Sequence, residues 1–295
     1  MVHSHFTWNL VDDWQQFTHY GFMRHALLAG GIAAVLCGVV GYFVVLRGLS
    51  FATDTLTHVG FAGASGAVVI GLSPVVGLLG LTALMAVALG ALEQRLRGRD
   101  VVIGMILVLT LGLGLLFLRL YSGYSNETYA LLFGAILALS TRDVVVVAVG
   151  AVVAVTALTA IFRPLLFASL DDELAEARGV PVRAVSTAFL LVLAVAVAAA
   201  TQVIGALLAV ALLIAPAATA QRLTGRPGVS LLLAVAIALA VTWGGLALAF
   251  WQPHPASFFI TSLSTLTYLA VRLLTAGVTV ARLRPAARIA ASAEG

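Results

Sequence analysis

About nine long apolar runs follow one another along the 295-residue chain, with short polar segments between them. An α-helix needs about 20 mostly apolar residues to cross the hydrocarbon core of a bilayer. Only 9% of the residues are charged, whereas soluble domains carry about 25%. The sequence therefore predicts an all-α, polytopic membrane protein. The predicted spans are Ala26–Leu46, Phe51–Leu72, Pro74–Leu92, Val101–Leu118, Val144–Phe162, Ala184–Ala200, Val203–Ala220, Val229–Trp251 and Phe258–Ala281.

The arginines between these spans indicate the orientation of the chain. Alternate connections are rich in arginine, and those on the opposite side hold few of them. Because cytoplasmic loops carry the excess of basic residues, nine spans place the N-terminus outside and the C-terminus in the cytoplasm. We therefore expect an outer polar segment over residues 1–21, a transmembrane domain over 22–281 and a cytoplasmic tail over 282–295. The arginine-rich set is Arg47, Arg95, Arg97, Arg99, Arg163, Arg178, Arg183, Arg222, Arg226, Arg282, Arg284 and Arg288.

All sixteen basic residues are arginine, and the sequence contains no lysine. A Walker A loop needs its lysine to reach the nucleotide phosphates, so this chain has no ATP site of that kind. Any energy from ATP must then come from a partner, and the chain is not itself predicted to be an enzyme. The scattered arginines indicate no nucleic-acid surface. A single cysteine, Cys37, excludes a cysteine metal cluster.

Asp54 and His58 are an acid and an imidazole inside the second apolar run. Residues four apart lie on one face of a helix, one turn from each other. A carboxylate near the middle of a bilayer costs about 2.5–3.5 kcal/mol on insertion scales, which makes an ionisable residue there a candidate functional group. Carboxylate oxygen and imidazole nitrogen are also ligands for first-row divalent metals. The alternative interpretation is a structural hydrogen bond in which Asp54 only fixes the imidazole.

The cytoplasmic connection from Arg163 to Arg183 contains the signals of a short helix. Ser169 or Asp171 is suited to cap its N-terminus, Gly179 to end it, and Pro181 to prevent its continuation. A solvated connector is the simpler interpretation, but ordered caps and an apolar stripe favour a helix that docks on a cytoplasmic partner. The predicted helix and its ends comprise Leu170, Asp171, Asp172, Glu173, Leu174, Glu176, Ala177, Arg178 and Gly179, with Leu170, Leu174 and Ala177 on one face.

Four segments, taken in order, resemble the metal-type ABC transporter permeases, which import zinc, manganese or iron. They are the run from Leu46 through Asp54 and His58 to Gly63, the stretch Leu132–Ser140, the segment Asp171–Arg183 and the run Val203–Ala220. The resemblance implies a type II importer permease, similar to vitamin B12 permeases, in the bacterial cytoplasmic membrane. It also implies a homodimer that works with two copies of a cytoplasmic ATPase and an extracytoplasmic metal-binding protein.

The resemblance further implies roles for particular residues. Asp54 and His58 correspond to residues of the metal path, and Asp171–Arg183 corresponds to the coupling helix that contacts the ATPase. Two ligands are too few to hold zinc tightly, which suits a transporter that must release its cargo. We expect no permanently bound cofactor and a transported divalent metal, with zinc favoured slightly over manganese because of the histidines. His254, on the outer side, is a candidate contact for the binding protein or a plain turn residue.

Two other classes of function deserve comparison. An ion-coupled secondary metal transporter would need no ATPase and would use its midplane charges for coupling, but the capped cytoplasmic helix argues against it. Gly63-Ala-Ser-Gly66 matches the serine motif of rhomboid proteases. Such an enzyme needs a histidine on another membrane helix, and the only later histidine is His254.

Overall fold

The computed structural model describes residues 21–92, 99–120, 134, 136–251 and 255–291, and every regular element in these ranges is helical. A single 3₁₀ turn covers Ile136–Ala138. The α-helices are α1 (Gly21–Leu46), α2 (Ser50–Val69), α3 (Pro74–Leu92), α4 (Arg99–Leu120), α5 (Thr141–Leu170), α6 (Asp172–Ala177), α7 (Val182–Ile204), α8 (Ala206–Leu223), α9 (Pro227–Trp251) and α10 (Ala256–Ala291).

Seven helices in the described ranges are long and apolar enough to cross a membrane, namely α1, α3, α4, α5, α7, α9 and α10. Two further helices, α2 and α8, also coincide with predicted spans, but α2 is more polar and α8 is short. The prediction of an all-helical membrane protein is therefore confirmed. Helix length and composition by themselves support seven crossings rather than nine.

Several predicted boundaries are wrong. Helix α5 does not end at Phe162 but continues through Pro164 to Leu170, so the connector does not begin at Arg163. Leu165 and Ala168 beyond the proline are buried, and this burial offsets the hydrogen bond that a proline removes from a helix. Helix α7 continues past the predicted end at residue 200, and α10 past the predicted end at residue 281.

The centre of the bundle is formed by α1 and α7, which are the most buried of the seven long helices. Phe43 of α1 packs edge-on against Phe162 of α5, with ring centroids 5.5 Å apart, and against Phe189 of α7 at 6.0 Å. All these rings lie in one continuous apolar core. The peripheral helices expose large apolar side chains instead, as expected where the solvent is lipid.

Helix α2 is held closely between α3 and α4 by glycines. A Cβ atom on Gly63 would lie 2.3 Å from the carbonyl oxygen of Gly77 on α3, so only glycine fits there. Gly114 of α4 likewise lies against the ring of Phe61. The glycines of α2 therefore provide close helix contact, as small residues do in membrane bundles, and they do not break the helix.

The outer connection between α4 and α5 is described only from Gly134 and Ile136 onward. Gly134 has φ +81° and lies so close to the carbonyl of Ile204 that a side chain would collide with it. Ile136 is buried against Gly30 of α1. Gly134 thus packs against the end of α7 and Ile136 against α1, and the rest of the stretch Leu132–Ser140 lies partly outside the described residues.

Candidate functional site

Asp54 and His58 lie on one face of α2, as their spacing predicts. His58 Nε2 is 3.5 Å from Asp54 Oδ1. The Asp54 side chain is 37% exposed and the His58 side chain is 12% exposed. The carboxylate therefore lies at an opening of the bundle surface, and the imidazole lies behind it.

The second ring nitrogen of His58 lacks a partner. Nδ1 is buried, and it has no hydrogen bond to any residue that the structure describes. A purely structural pair would be expected to satisfy both nitrogens, because buried polar atoms are nearly always hydrogen-bonded. The pair is therefore incompletely hydrogen-bonded within the described part of one copy.

The other polar side chains of the same helix segment are satisfied within the fold. The hydroxyl of Thr53 donates to the carbonyl of Leu49 at 2.9 Å, and that of Thr57 to the carbonyl of Thr53 at 2.8 Å. Both threonines are fully buried. This contrast sets Asp54 and His58 apart from the remaining polar groups of α2.

The pair lies near the arginine-rich end of the bundle. Helix α2 is continuous from Ser50 to Val69, so its 1.5 Å rise per residue places Asp54 about 6 Å and His58 about 12 Å from its start. Arg47, just before α2, donates from Nη2 to the hydroxyl of Ser186 on α7 at 2.5 Å. This bond ties the beginning of α2 to the central helix α7, and no motif in the sequence indicated it.

Two ligands do not complete a metal site. No group of three or more His, Cys, Asp or Glu side chains that could hold a metal ion occurs among the described residues. Structural zinc sites use four ligands, and catalytic zinc sites three plus water. Within the described part of one copy, Asp54 and His58 therefore offer weak, open coordination.

The predicted short helix is present as α6, between α5 and α7. The Asp171 side chain accepts a hydrogen bond from the backbone N–H of Leu174 at 2.9 Å, which makes it the N-cap. Ser169 is not the cap, because its hydroxyl donates to the carbonyl of Leu165 within α5. Gly179 has φ +81°, the left-handed conformation expected after a helix end.

The predicted face of this helix is only partly correct. Leu170 is the last residue of α5, and the extended backbone of Asp171 separates it from α6. The anchoring side chain is Ala175, which is fully buried and was not singled out from the sequence. Leu174 is 45% exposed and points away from that anchor. Four exposed acidic residues are close to Leu174 in sequence, namely Asp171, Asp172, Glu173 and Glu176.

The remaining candidates do not gather at one site. Ser65 is buried, and its hydroxyl donates to the carbonyl of Phe61 in its own helix, as a packed serine does. His254 lies outside the described residues, so its role as an outer contact stays a prediction.

Comparisons with known proteins place the chain in a family. The model of the ABC 3 transport family matches residues 19–275. A manganese transport system membrane protein MntC from Halalkalibacterium halodurans is 33% identical over 228 residues, which cover 77% of this chain and 78% of that protein. A high-affinity zinc uptake system membrane protein ZnuB from Haemophilus influenzae is 28% identical, over 76% of this chain and 86% of that protein.

The fold is also similar to a solved structure, PsaBC from Streptococcus pneumoniae in complex with Fab. The TM-score is 0.79 at 25% identity, and the match covers 89% of this chain and 95% of that chain. Fold, membrane composition and sequence match agree over nearly the whole length. The chain is therefore a multi-pass membrane protein that belongs to the ABC 3 transport family, the family of metal-type ABC transporter permeases.

Proposed function

We propose that this chain is the membrane-spanning subunit of an ABC importer that moves a divalent transition metal into the cytoplasm. The observation that carries the proposal is the Asp54–His58 pair, partly open and incompletely hydrogen-bonded, on a helix of a chain from this family. A carboxylate retained in a lipid-embedded bundle costs free energy. A cation that binds there compensates for that cost during transport.

We propose that the metal path is shared by two copies of the chain. Two Asp54–His58 pairs that face each other across a homodimer axis supply four ligands, the number that a metal ion such as zinc accepts in a tetrahedral site. Partial exposure of Asp54 in one copy supports this arrangement. The pair of a single copy supplies too few ligands to trap the ion.

The membrane topology in this proposal has nine crossings, with α2 and α8 completing the seven that are long and apolar. The alternation of arginine-rich connections supports an outer N-terminus and a cytoplasmic C-terminus. Both α2 and α8 pack against the central helices and not only against the periphery. A more polar α2 is acceptable there because protein, rather than lipid, covers most of it.

ATP drives the cycle from a separate subunit in this proposal. The chain lacks the lysine of a Walker A loop. Helix α6 offers an exposed Leu174 within an acidic surface, anchored from behind by Ala175. We propose that a cytoplasmic ATPase dimer binds this surface, so that closure of the ATPase shifts the permease dimer between outward-open and inward-open states. An extracytoplasmic binding protein delivers the metal.

The transported metal in this proposal is zinc, manganese or iron. The relatives named above are described as manganese and zinc transporters. Imidazole and carboxylate together suit zinc or manganese, and the histidine favours zinc only slightly. Iron stays a third candidate cargo.

One uptake experiment tests the function. Cells that express the chain with its ATPase and binding protein are supplied with zinc, manganese and iron, and the metal taken up is measured by elemental analysis. We expect uptake of one metal, and its loss when the ATPase carries a substitution of its catalytic carboxylate. Uptake that persists with the inactive ATPase would indicate an ion-coupled carrier instead.

A further inference from the structure

A groove of about 640 Å³ lies between α1, α5 and α9 on the outside of the bundle. Its walls are apolar, and the residues that matter here are Leu28 and Val35 of α1, Val152 and Val155 of α5, and Leu239 and Trp243 of α9. Ligand pockets commonly measure about 300–1,000 Å³. Neither Asp54 nor His58 lines the groove.

The length of the groove matches one leaflet of a bilayer. Along α1 it runs from Leu27 to Leu36, which at 1.5 Å per residue is about 14 Å, roughly half of the 30 Å hydrocarbon core. Trp243 crosses it above Gly31, and its indole N–H is directed at the carbonyl of Leu27 at 3.4 Å. The groove therefore has the dimensions of a site for an acyl chain.

Cationic and polar groups lie at the end of the groove that is nearer to the first turns of α1 and α5. The hydroxyl of Thr141 is 3.4 Å from His25 Nε2, so these two first turns are neighbours. Arg24 and Arg142 are the exposed residues adjacent to them in sequence. The one acid in the described first turns of α1 and α5, Asp143, accepts hydrogen bonds from the backbone N–H and the hydroxyl of Ser140 at 3.0 and 2.7 Å.

From this arrangement we infer that the groove binds an anionic phospholipid, with one acyl chain against Trp243 and the phosphate headgroup near Arg24, His25 and Arg142. Charge complementarity at the mouth selects an anionic headgroup, because each arginine near a membrane surface attracts anionic lipid. A zwitterionic lipid has the same chains but gains less from the two arginines. The inference is independent of the transported metal.

Trp243 is a built-in reporter for this site. The full-length protein is purified in detergent and titrated with phosphatidylglycerol or phosphatidylcholine that carry identical brominated acyl chains, and quenching of tryptophan fluorescence is followed. The quenching curve of the Trp243→Phe variant is subtracted from that of the wild-type protein. The difference is the quenching of Trp243 alone, without the contribution of the other three tryptophans. We expect phosphatidylglycerol to reach half-maximal quenching at about a tenfold lower mole fraction than phosphatidylcholine.

The double variant Arg24→Gln/Arg142→Gln should lose this preference. Arg119→Gln, a change at an exposed arginine near the end of α4, is the matched control and should keep it. Equal quenching of the wild-type protein by the two lipids would overturn the inference, because the groove would then be ordinary lipid-facing surface. A double variant that folds and retains the full preference would overturn the role of the arginines and with it the inference.

Discussion

Replacing Gly77 with Ala tests the helix crossing that positions Asp54 and His58. A Cβ atom on Gly77 would lie 2.1 Å from the carbonyl oxygen of Gly63 and 2.4 Å from the Cβ of Ala67, whereas ordinary contacts begin at 3.4 Å. Helices α2 and α3 must therefore move apart by about 1 Å, since packed interiors have no spare volume. The substitution shifts the helix that carries the candidate metal path.

The size of the effect follows from two opposing contributions. Overpacking a well-packed interface lowers the free energy of unfolding by about 1–3 kcal/mol. Replacing glycine with alanine inside a helix raises it by about 0.5–1 kcal/mol. We expect the free energy of unfolding to fall by about 1–2 kcal/mol. The substitution Gly80→Ala is the matched control on the same helix, because a Cβ there meets nothing within 4 Å. That variant should be neutral or slightly more stable.

The assay is reversible unfolding of both variants in mild detergent, followed by tryptophan fluorescence, with metal uptake measured in cells. Gly77→Ala should lower both stability and uptake, and Gly80→Ala should lower neither. If Gly77→Ala were as stable as Gly80→Ala, the close crossing of α2 and α3 would be refuted.

Three further predictions concern the metal path and α6. Replacing Asp54 with Asn, or His58 with Gln, should reduce metal uptake about tenfold or more. Both variants should still bind the ATPase in a pull-down. Normal uptake in both variants would reject the role of the two residues in the metal path. Leu174→Glu should abolish the stimulation of uptake by ATP, because it places a charge in the docking contact; Leu223→Glu, the same change at an exposed leucine at the end of α8 and outside the α6 surface, is its control, and intact coupling in the Leu174 variant would contradict the docking role. Asp171→Ala should remove the N-cap of α6, at a cost of about 1 kcal/mol, and weaken ATPase binding severalfold in a binding titration; unchanged binding would show that the cap does not matter for docking.

Some local features of α6 were readable from the sequence. A capping side chain acts within one turn of its own helix. The N-cap role of Asp171, one of two candidate caps, and the helix end at Gly179 could therefore be predicted from residues nearby in the chain. The start of the connector after α5 could not be predicted from the sequence, because a proline such as Pro164 usually signals a helix end. Burial of Leu165 against other helices decided the outcome instead, and a single sequence does not reveal that burial.

Three conclusions could be drawn from the residues alone: the chain is an all-helical membrane protein, Asp54 and His58 share a helix face, and the chain contains no lysine. These conclusions depend on apolar length, on helical periodicity and on residue identity, which are all local properties. The three-dimensional packing was needed to establish that α2 passes unbroken against Gly77, that Nδ1 of His58 has no partner in the described fold, and that Ala175 anchors α6. These features arise from contacts between residues far apart in the chain, where the close packing of neighbouring helices selects which side chains are buried and which stay accessible.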